Sequence, residues 1–354
     1  MSKTFDIWIG AYATQEQVGI TRLLLDSDSG KLSKMVDFTG IDNPSFVTLD
    51  RSGRYLHAVS EVDVLNGQPG GEVITFELQE DETLLEEAMS HPTLGVHPCF
   101  VALDPQERWL AVSNYGGSSV VIYPIEQSGL PGPVHVRFRH TGSGPNQERQ
   151  EAAHPHSAVF SADGQYLFVP DLGLDKIMVY AFDAQKQQWV GHDAVSLPAG
   201  SGPRHLKFHP SLNVAYVINE LNCTVTHLSI EEPGRLVAQE SISTLPASFT
   251  GFSTCAELVI SPDGRTLYAS NRGHDSIAIF QIDELTGQLS AAGHVSTRGK
   301  TPRNFNVTPD GRWLLVANQD SSSLVLFQVD AATGLPVFTG TELTIHKPAC
   351  VVIR

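Results

Sequence analysis

The sequence lacks the features that mark several large classes of protein. No run of 18 apolar residues occurs, so no membrane-spanning helix is expected. The first residues, MSKTFDIWIGAY, lack the long apolar core of a signal peptide, and we therefore expect a cytoplasmic protein. The four cysteines are widely spaced and form no CxxC pair, which argues against a disulfide framework and favours small buried thiols.

Positive charge is also scarce. The 23 Lys and Arg against 39 Asp and Glu give a net charge of −16. Because nucleic-acid affinity depends on Lys and Arg that neutralise phosphates, no nucleic-acid partner is expected. The same imbalance disfavours docking to an anionic membrane. A small anionic ligand remains compatible, since a local arginine cluster outweighs surface charges that salt screens beyond about 10 Å.

Familiar catalytic signatures are missing as well. The chain contains no GxSxG elbow, no HExxH helix motif and no Walker A loop, so nothing indicates a serine hydrolase, a metalloprotease or a nucleotide hydrolase. It contains no Trp-Asp dipeptide either, which disfavours a WD40 scaffold.

One pattern recurs seven times along the chain. Each repeat begins at one of the anchor positions Pro44, Pro98, Pro155, Pro203, Cys255, Pro302 and Pro348. Subtracting neighbouring positions gives intervals of 46 to 57 residues, a period typical of propeller blades. Apolar residues three and five positions past each anchor predict a first strand, and a turn nine positions past the first six anchors precedes a second. In the first repeat an insertion, VDVLNGQPG, delays the third strand and is interpreted as a loop.

The two ends of the chain complete the seventh repeat. Pro348 is followed by a single strand, ACVVIR, and the N-terminal segments DIWIGAY, ITRLLL and KMVDFTG match the second, third and fourth strands. We therefore predict an all-β, seven-bladed β-propeller, a single domain over residues 1–354, whose ring is closed when the C-terminal strand joins the N-terminal strands in one blade. Closure hides the sheet edges that an open array would expose.

Polar residues fall on two positions of the repeat that should meet at one mouth of the central channel. Those beside the anchors are His97, His154, His156, Arg204, Arg303 and Lys347. Those at the ends of second strands are Glu61, Asn114, Tyr115, Asp171, Asn219, Glu220, Asn271, Arg272, Asn318 and Gln319. Such a convergence of charges fits a site better than core packing, because unpaired buried charge is costly.

Simpler structural explanations compete for some of these residues. Asn114 and Asn318 are better explained by turn chemistry, and Asp171 with Asp175 by anchoring of a loop. Arg272 and Glu220 could be an ion pair of the channel wall. Zinc binding by His154 and His156 is disfavoured, because no third ligand has suitable spacing. We therefore predict no metal and no cofactor.

Four segments carry a resemblance to a known family. They are GPNQERQEAAHPHSAVFSADGQYLFVPDLGLDKI, GPRHLKFHPSLNVAYVINELN, SNRGHDSIAIF and TPRNFNVTPDGRWLLVANQ. The chain resembles the bacterial propeller-type 6-phosphogluconolactonases and the related fungal carboxymuconate-lactonizing enzymes. The resemblance implies catalytic roles for a set of four residues, His156, Glu220, Arg272 and Arg204. For substrate binding we expect a second set, His154, Arg303, Arg149, Gln150 and Asn271.

The function implied by the resemblance is that of a lactone hydrolase of carbohydrate metabolism. The expected reaction converts 6-phosphogluconolactone to 6-phosphogluconate in the pentose phosphate pathway. The expected partner is a small anionic sugar lactone, and the expected assembly a monomer or homodimer. Glu220 or His156 would take the proton of water, and Arg204 or Arg272 would hold the oxyanion. A carboxymuconate-type lactonizing enzyme and a noncatalytic ligand-binding propeller remain alternatives, because both would use the same residue types.

Overall fold

The computed structural model describes residues 3–79 and 85–354, and throughout these residues the regular secondary structure is β-strand. The strands form seven four-stranded antiparallel sheets arranged as blades of a ring, which confirms the predicted seven-bladed β-propeller. No helix in the described ranges is long and apolar enough to cross a membrane.

The blades follow one another along the chain, and the first strand of each repeat lies innermost, at the channel. Blade 1 comprises Val47–Leu49, Tyr55–Ser60, Glu72–Leu78 and Leu85–Pro92; blade 2 comprises Pro98–Leu103, Trp109–Asn114, Ser119–Pro124 and Val136–Arg139. Blade 3 comprises Val159–Phe160, Tyr166–Asp171, Lys176–Asp183 and Gln188–Ser196; blade 4 comprises Pro203–Phe208, Val214–Asn219, Thr224–Glu232 and Arg235–Ser243. Blade 5 comprises Thr254–Ile260, Thr266–Arg272, Ser276–Ile282 and Leu289–Ser296; blade 6 comprises Pro302–Val307, Trp313–Asn318, Ser323–Val329 and Pro336–Thr344. Blade 7 comprises Pro348–Ile353, Thr4–Ala11, Ile20–Asp26 and Leu32–Phe38.

The insertion in blade 1 differs from its prediction. Its residues were expected to form a loop, but Val64–Leu65 and Gln68–Pro69 pair as a short antiparallel ribbon. The turn between them holds Asn66 and Gly67 at positive φ, the backbone conformation that a two-residue hairpin turn requires. The ribbon lies outside the four-stranded sheet of blade 1.

The ring closes through blade 7, as predicted from the divided repeat. Pro348–Ile353 runs antiparallel to Thr4–Ala11, and Ile9 lies opposite Val351. Backbone hydrogen bonds between Asp6 and Arg354, 3.0 and 2.8 Å long, extend the pairing to the last residue. The innermost strand of blade 7 therefore lies between those of blade 6 and blade 1.

Apolar side chains fill the spaces between blades. Trp8 of blade 7 packs against Val47 and Leu56 of blade 1 in one such layer. On its other side, blade 7 contributes Ile7 to a layer that contains Leu315 of blade 6. Ile7 and Trp8 are consecutive residues of Thr4–Ala11, the second strand of blade 7. Because successive side chains of a strand point to opposite faces, this strand supplies both layers at once.

We expect a charge placed in the closing strand, Pro348–Ile353, to destabilise the folded ring. Val351→Asp would bury a carboxylate at a position that is 3% exposed, whereas Val337→Asp would place it at a position of blade 6 that is 59% exposed. The first change should lower the free energy of unfolding by about 3–5 kcal/mol, because a buried carboxylate has no partner there. The second should change it by less than about 0.5 kcal/mol. Urea denaturation measures both.

We propose that residues 1–354 form one domain, so this denaturation should show a single transition. Equal stability of the two variants would contradict the role assigned to the closing strand.

Candidate active site

The mouth where second strands end and first strands begin holds a cavity of about 260 Å³. Second-strand ends contribute Glu61, Tyr115, Glu220 and Arg272, and positions beside the anchors contribute Cys99, His156 and Arg303. Arg149 reaches the cavity from the loop that connects blades 2 and 3. Blades 1 to 6 thus deliver polar residues to the same place, because the repeat puts equivalent backbone positions at the same end of the channel.

Glu220 is the centre of an ion cluster. Its carboxylate is 3% exposed and accepts contacts from three guanidinium groups: Arg149 lies against Oε1, while Arg272 Nη2 and Arg204 Nε lie 2.9 and 3.2 Å from Oε2. Burial alone would raise the pKa of Glu220, but the three positive charges more than offset it and hold the pKa at about 2. Glu220 is therefore ionised at neutral pH, and both of its oxygens are occupied.

His156 stands next to this cluster in its neutral form. Its Nε2 lies 3.9 Å from Glu220 Oε2, and its Nδ1 lies 3.7 Å from the sulfur of Cys99. Burial, together with the positive charges of Arg204 and Arg303, lowers the pKa of His156 well below its ordinary value. Burial also raises the pKa of the Cys99 thiol, so the sulfur keeps its proton. His156 is thus free to accept a proton, whereas Cys99 is no nucleophile.

Arg204 lies behind the cavity wall and is fixed from below by a buried network. Its Nη1 donates to the carbonyl of Ala256 at 2.6 Å and to His205 Nε2 at 3.1 Å. His205 in turn places Nδ1 2.9 Å from Glu257 Oε2, which also accepts from Asn304 at 2.6 Å. Burial lowers the pKa of His205 to about 4, so the ring is neutral and its Nε2 accepts from Arg204.

A second group of polar residues forms the opposite wall of the cavity. Glu61 Oε2 accepts from the hydroxyls of Tyr12, at 2.9 Å, and Ser45. Arg303 Nη2 donates to the Tyr12 hydroxyl at 2.6 Å, and its guanidinium lies 5.0 Å from the centre of the Tyr12 ring. Tyr12 therefore joins a carboxylate to a guanidinium on this wall.

The charges of the site do not cancel. The lining contains three guanidinium groups, those of Arg149, Arg272 and Arg303, and two carboxylates, and Arg204 adds a further positive charge beside Glu220, so positive charge is in excess. This excess sits in a protein whose net charge is −16. The arrangement favours an anionic ligand.

Six of the nine residues expected at the site come together there. Arg149, His156, Glu220, Arg272 and Arg303 line the cavity, and Arg204 contacts Glu220 from behind. The ion pair between Arg272 and Glu220, which the sequence offered as a structural alternative, also exists.

The remaining three residues, which we expected to bind substrate, do not line the cavity. Asn271 is fully buried, and its amide donates to the carbonyl of Thr244 at 2.8 Å, just as the amide of Asn114 donates to Thr93. Gln150 is fully buried too, and it donates to the carbonyl of Leu172. Both amides satisfy backbone groups at blade ends, and this correction moves them from substrate binding to support of the loops.

His154 also stands behind the cavity. Its ring stacks on Tyr115 with ring centres 4.3 Å apart, and its Nε2 lies 3.2 Å from Glu151. It therefore supports Tyr115, which does line the cavity. Asp171 and Asp175 anchor loops as expected: Asp171 accepts from the backbone N–H of His154 at 2.7 Å, and Asp175 accepts from that of Gly202 at 2.7 Å.

The sequence placed Glu61 and Tyr115 at this mouth without a specific role and indicated that Cys99 is a small buried thiol, but it did not single out Tyr12. A signal for three of them was present: the residue immediately after the second strand is Glu61 in blade 1, Tyr115 in blade 2 and Tyr12 in blade 7. Glu220 holds this position in blade 4. Within the ranges 3–79 and 85–354, no group of three or more His, Cys, Asp or Glu residues is arranged to hold a metal ion.

Comparisons with known proteins agree with this architecture. Residues 6–353 match the family described as lactonase, 7-bladed beta-propeller. The chain is 33% identical over 302 residues to the 6-phosphogluconolactonase of Bacillus subtilis, which covers 84% of this chain and 83% of that protein. It is 34% identical over 307 residues to the 6-phosphogluconolactonase of Formosa agariphila, with coverage of 85% and 86%.

A solved structure is similar over the whole chain. The periplasmic gluconolactonase of Pseudomonas aeruginosa superposes with a TM-score of 0.89 at 31% identity, and the match covers 99% of each chain. The seven blades, the family match over residues 6–353 and these relatives lead to one conclusion. The chain belongs to the lactonase family of seven-bladed β-propellers.

Proposed function

We propose that this protein hydrolyses 6-phosphogluconolactone to 6-phosphogluconate. The observation that carries the proposal is the excess of arginine around a neutral histidine in a cavity of about 260 Å³. Such a cavity has a base for water and positive charge for both a phosphate and an oxyanion. The 6-phosphogluconolactonases of B. subtilis and F. agariphila support the substrate. The reaction would place the enzyme in the pentose phosphate pathway, and the four buried free thiols are in keeping with the cytoplasm.

The proposed reaction begins with water that attacks the lactone carbonyl carbon while His156 takes one of its protons. Arg272 stabilises the oxyanion of the tetrahedral intermediate, since it and His156 both approach Glu220 Oε2, at 2.9 and 3.9 Å. When the intermediate collapses, the bond from carbon to the ring oxygen breaks, and His156 returns its proton to that oxygen. The product acid then releases its own proton to solvent.

Arg149 is the proposed ligand of the phosphate. It has the most exposed guanidinium of the cluster, since its side chain is 38% exposed, against 14% for Arg272 and 4% for Arg204. It also comes from the loop between blades 2 and 3. A guanidinium in this position can meet a phosphate through paired N–H donors.

Glu220 is the proposed organiser of the arginines. A base works best when its pKa lies near the working pH, whereas the pKa of Glu220 is held at about 2. The pKa of His156 is also lowered, but its causes are burial and positive neighbours, and a bound anion changes the effect of those neighbours. A bound phosphate would offset part of that positive charge and raise the pKa of His156 towards neutrality. Substrate binding would thus make His156 a stronger base.

The first test is turnover. Purified protein should hydrolyse 6-phosphogluconolactone faster than the spontaneous rate, and it should prefer it to unphosphorylated gluconolactone because Arg149 meets the phosphate. Activity should survive EDTA, since the proposed steps use side chains only. Binding without turnover would instead identify a noncatalytic propeller, and cyclisation of a carboxymuconate would identify the lactonizing alternative.

The second test separates the two candidate bases. His156→Asn should lower kcat by about 10²–10⁴-fold, the usual contribution of a general base. Glu220→Gln should lower kcat by a smaller factor, because it disturbs the arginines but leaves the base in place. Steady-state kinetics on variants with intact folds measure both. A near-complete loss in Glu220→Gln with normal kcat in His156→Asn would reverse the roles.

The pH dependence provides a third test. His156 acts when unprotonated, so activity should fall as the pH drops through its pKa. In the free enzyme that pKa lies well below 6.5, and the acid limb of kcat/KM should lie there too. The acid limb of kcat, which reports the complex, should lie at higher pH if the phosphate raises the pKa of His156. If the acid limbs of kcat/KM and of kcat lie at the same pH, the substrate does not raise the pKa of His156.

A fourth test concerns the oxyanion. Arg272→Lys keeps the charge but loses the planar pair of donors, and kcat/KM should fall by about 10–1000-fold. Arg265→Lys, in the same blade, is the matched control because that side chain is 65% exposed and pairs with Glu284. The control should keep its activity. A fully active Arg272→Lys enzyme would place oxyanion stabilisation elsewhere.

A further inference from the structure

The two carboxylates of the cavity have different surroundings. Glu220 is enclosed by three guanidinium groups and is 3% exposed. Glu61, on the opposite wall, is half-buried and forms no ion pair with an arginine in the described part of the chain. Its Oε2 accepts from Tyr12 and Ser45, while its Oε1 has no hydrogen-bond partner among the described residues. Glu61 therefore presents one uncommitted acceptor to the cavity.

The position of Glu61 is fixed from behind. Its backbone N–H donates to the carbonyl of Asn43 at 3.1 Å, and its own carbonyl accepts from the Asn43 amide at 3.2 Å. Burial raises the pKa of the Tyr12 phenol, although Arg303 opposes the shift, so Tyr12 keeps the proton that it donates to Glu61. The carboxylate is thus held in one orientation, and its free oxygen is preorganised.

Arg303 supplies the complementary donors. Its Nη2 donates to Tyr12 at 2.6 Å, and it forms no ion pair with a carboxylate of the described residues. A preorganised carboxylate oxygen beside guanidinium N–H groups pairs with a group that both donates and accepts. A hydroxyl has that property, whereas a carboxylate only accepts and would face the charge of Glu61.

We propose that Glu61 determines specificity by accepting hydrogen bonds from the ring hydroxyls of a polyhydroxylated lactone and by repelling substrates that carry a carboxylate at that position. This inference rests on the proposed lactone hydrolysis and adds the wall that recognises the sugar. Tyr12 is the positioning residue that holds Glu61 and Arg303 together. The same wall would disfavour a polycarboxylate substrate of the lactonizing reaction.

The kinetic test compares two six-membered lactones, gluconolactone and δ-valerolactone, which lacks ring hydroxyls. The readout is the ratio of their kcat/KM values. Glu61→Gln keeps the shape and the contacts to Tyr12 and Ser45 but removes the charge, so the ratio should fall by about 10–100-fold, as expected for a lost charge-assisted hydrogen bond. Tyr12→Phe should move the ratio in the same direction.

The matched control is Glu77→Gln. Glu77 lies in blade 1, opposite Tyr55 at the far end of the sheet, and pairs with Arg54. The ratio of kcat/KM values for the two lactones should be the same in Glu77→Gln as in the unchanged protein. If Glu61→Gln lowers kcat/KM equally for both lactones, Glu61 acts on the reacting group instead, and an unchanged ratio would show that it contacts no hydroxyl. Either result would overturn the proposal.

A binding measurement keeps the two proposals apart. Calorimetry with gluconate, a polyhydroxylated monocarboxylate, and with tricarballylate, a tricarboxylate without hydroxyls, needs no turnover. Glu61→Gln should weaken gluconate binding and strengthen tricarballylate binding. If no lactone is hydrolysed by the unchanged protein, the proposed function fails, yet this shift in selectivity still decides the role of Glu61. If Glu61→Gln weakens the binding of both ligands, or strengthens the binding of both, Glu61 does not determine specificity.

Discussion

The site depends on the balance of charge around Glu220. A carboxylate buried in this position without partners would be protonated, and four guanidinium groups gathered without an anion would repel one another. The carboxylate and the guanidinium groups therefore stabilise one another. Glu220 offsets the repulsion among Arg149, Arg204 and Arg272, and these arginines hold the pKa of Glu220 at about 2. The partners come from blade 4, blade 5 and the loop between blades 2 and 3, so the balance exists only when these parts of the chain pack together.

The network below Glu220 shows how the propeller supports this balance. Arg204 is oriented by His205, and His205 is oriented by Glu257, which itself accepts from Asn304 of blade 6. These residues stand on the innermost strands of blades 4, 5 and 6, where strands of successive blades adjoin around the channel. This part of the channel is thus occupied by hydrogen-bonded polar groups, which connect the innermost strands of three blades to the guanidinium of Arg204.

The environments of the two carboxylates assign them different chemistry, although the residue type is the same. Glu220 is saturated by positive charge and organises the arginines. Glu61 keeps one free oxygen and can meet a neutral donor. Separate roles for like groups, set by their surroundings, are a general feature of enzyme sites. In the proposed mechanism the separation corresponds to opposite walls: the arginine-rich wall would meet the anionic and reacting groups, and the Tyr12 wall the sugar.

The amino-acid sequence by itself determined the number of blades, the divided seventh blade and the mouth at which the polar residues gather. These follow from a repeat of period-2 apolar runs, which is a local property of the chain. Only the tertiary structure decided which member of each neighbouring pair enters the cavity. Arg272 does, whereas Asn271 turns to a backbone carbonyl, because successive side chains of a strand point in opposite directions. In the turn that precedes blade 3, Arg149 likewise enters the cavity, whereas Gln150 donates to the carbonyl of Leu172. Tyr12 joined the site only through ring closure, and the neutrality of His156 arises from burial among charges contributed by other blades.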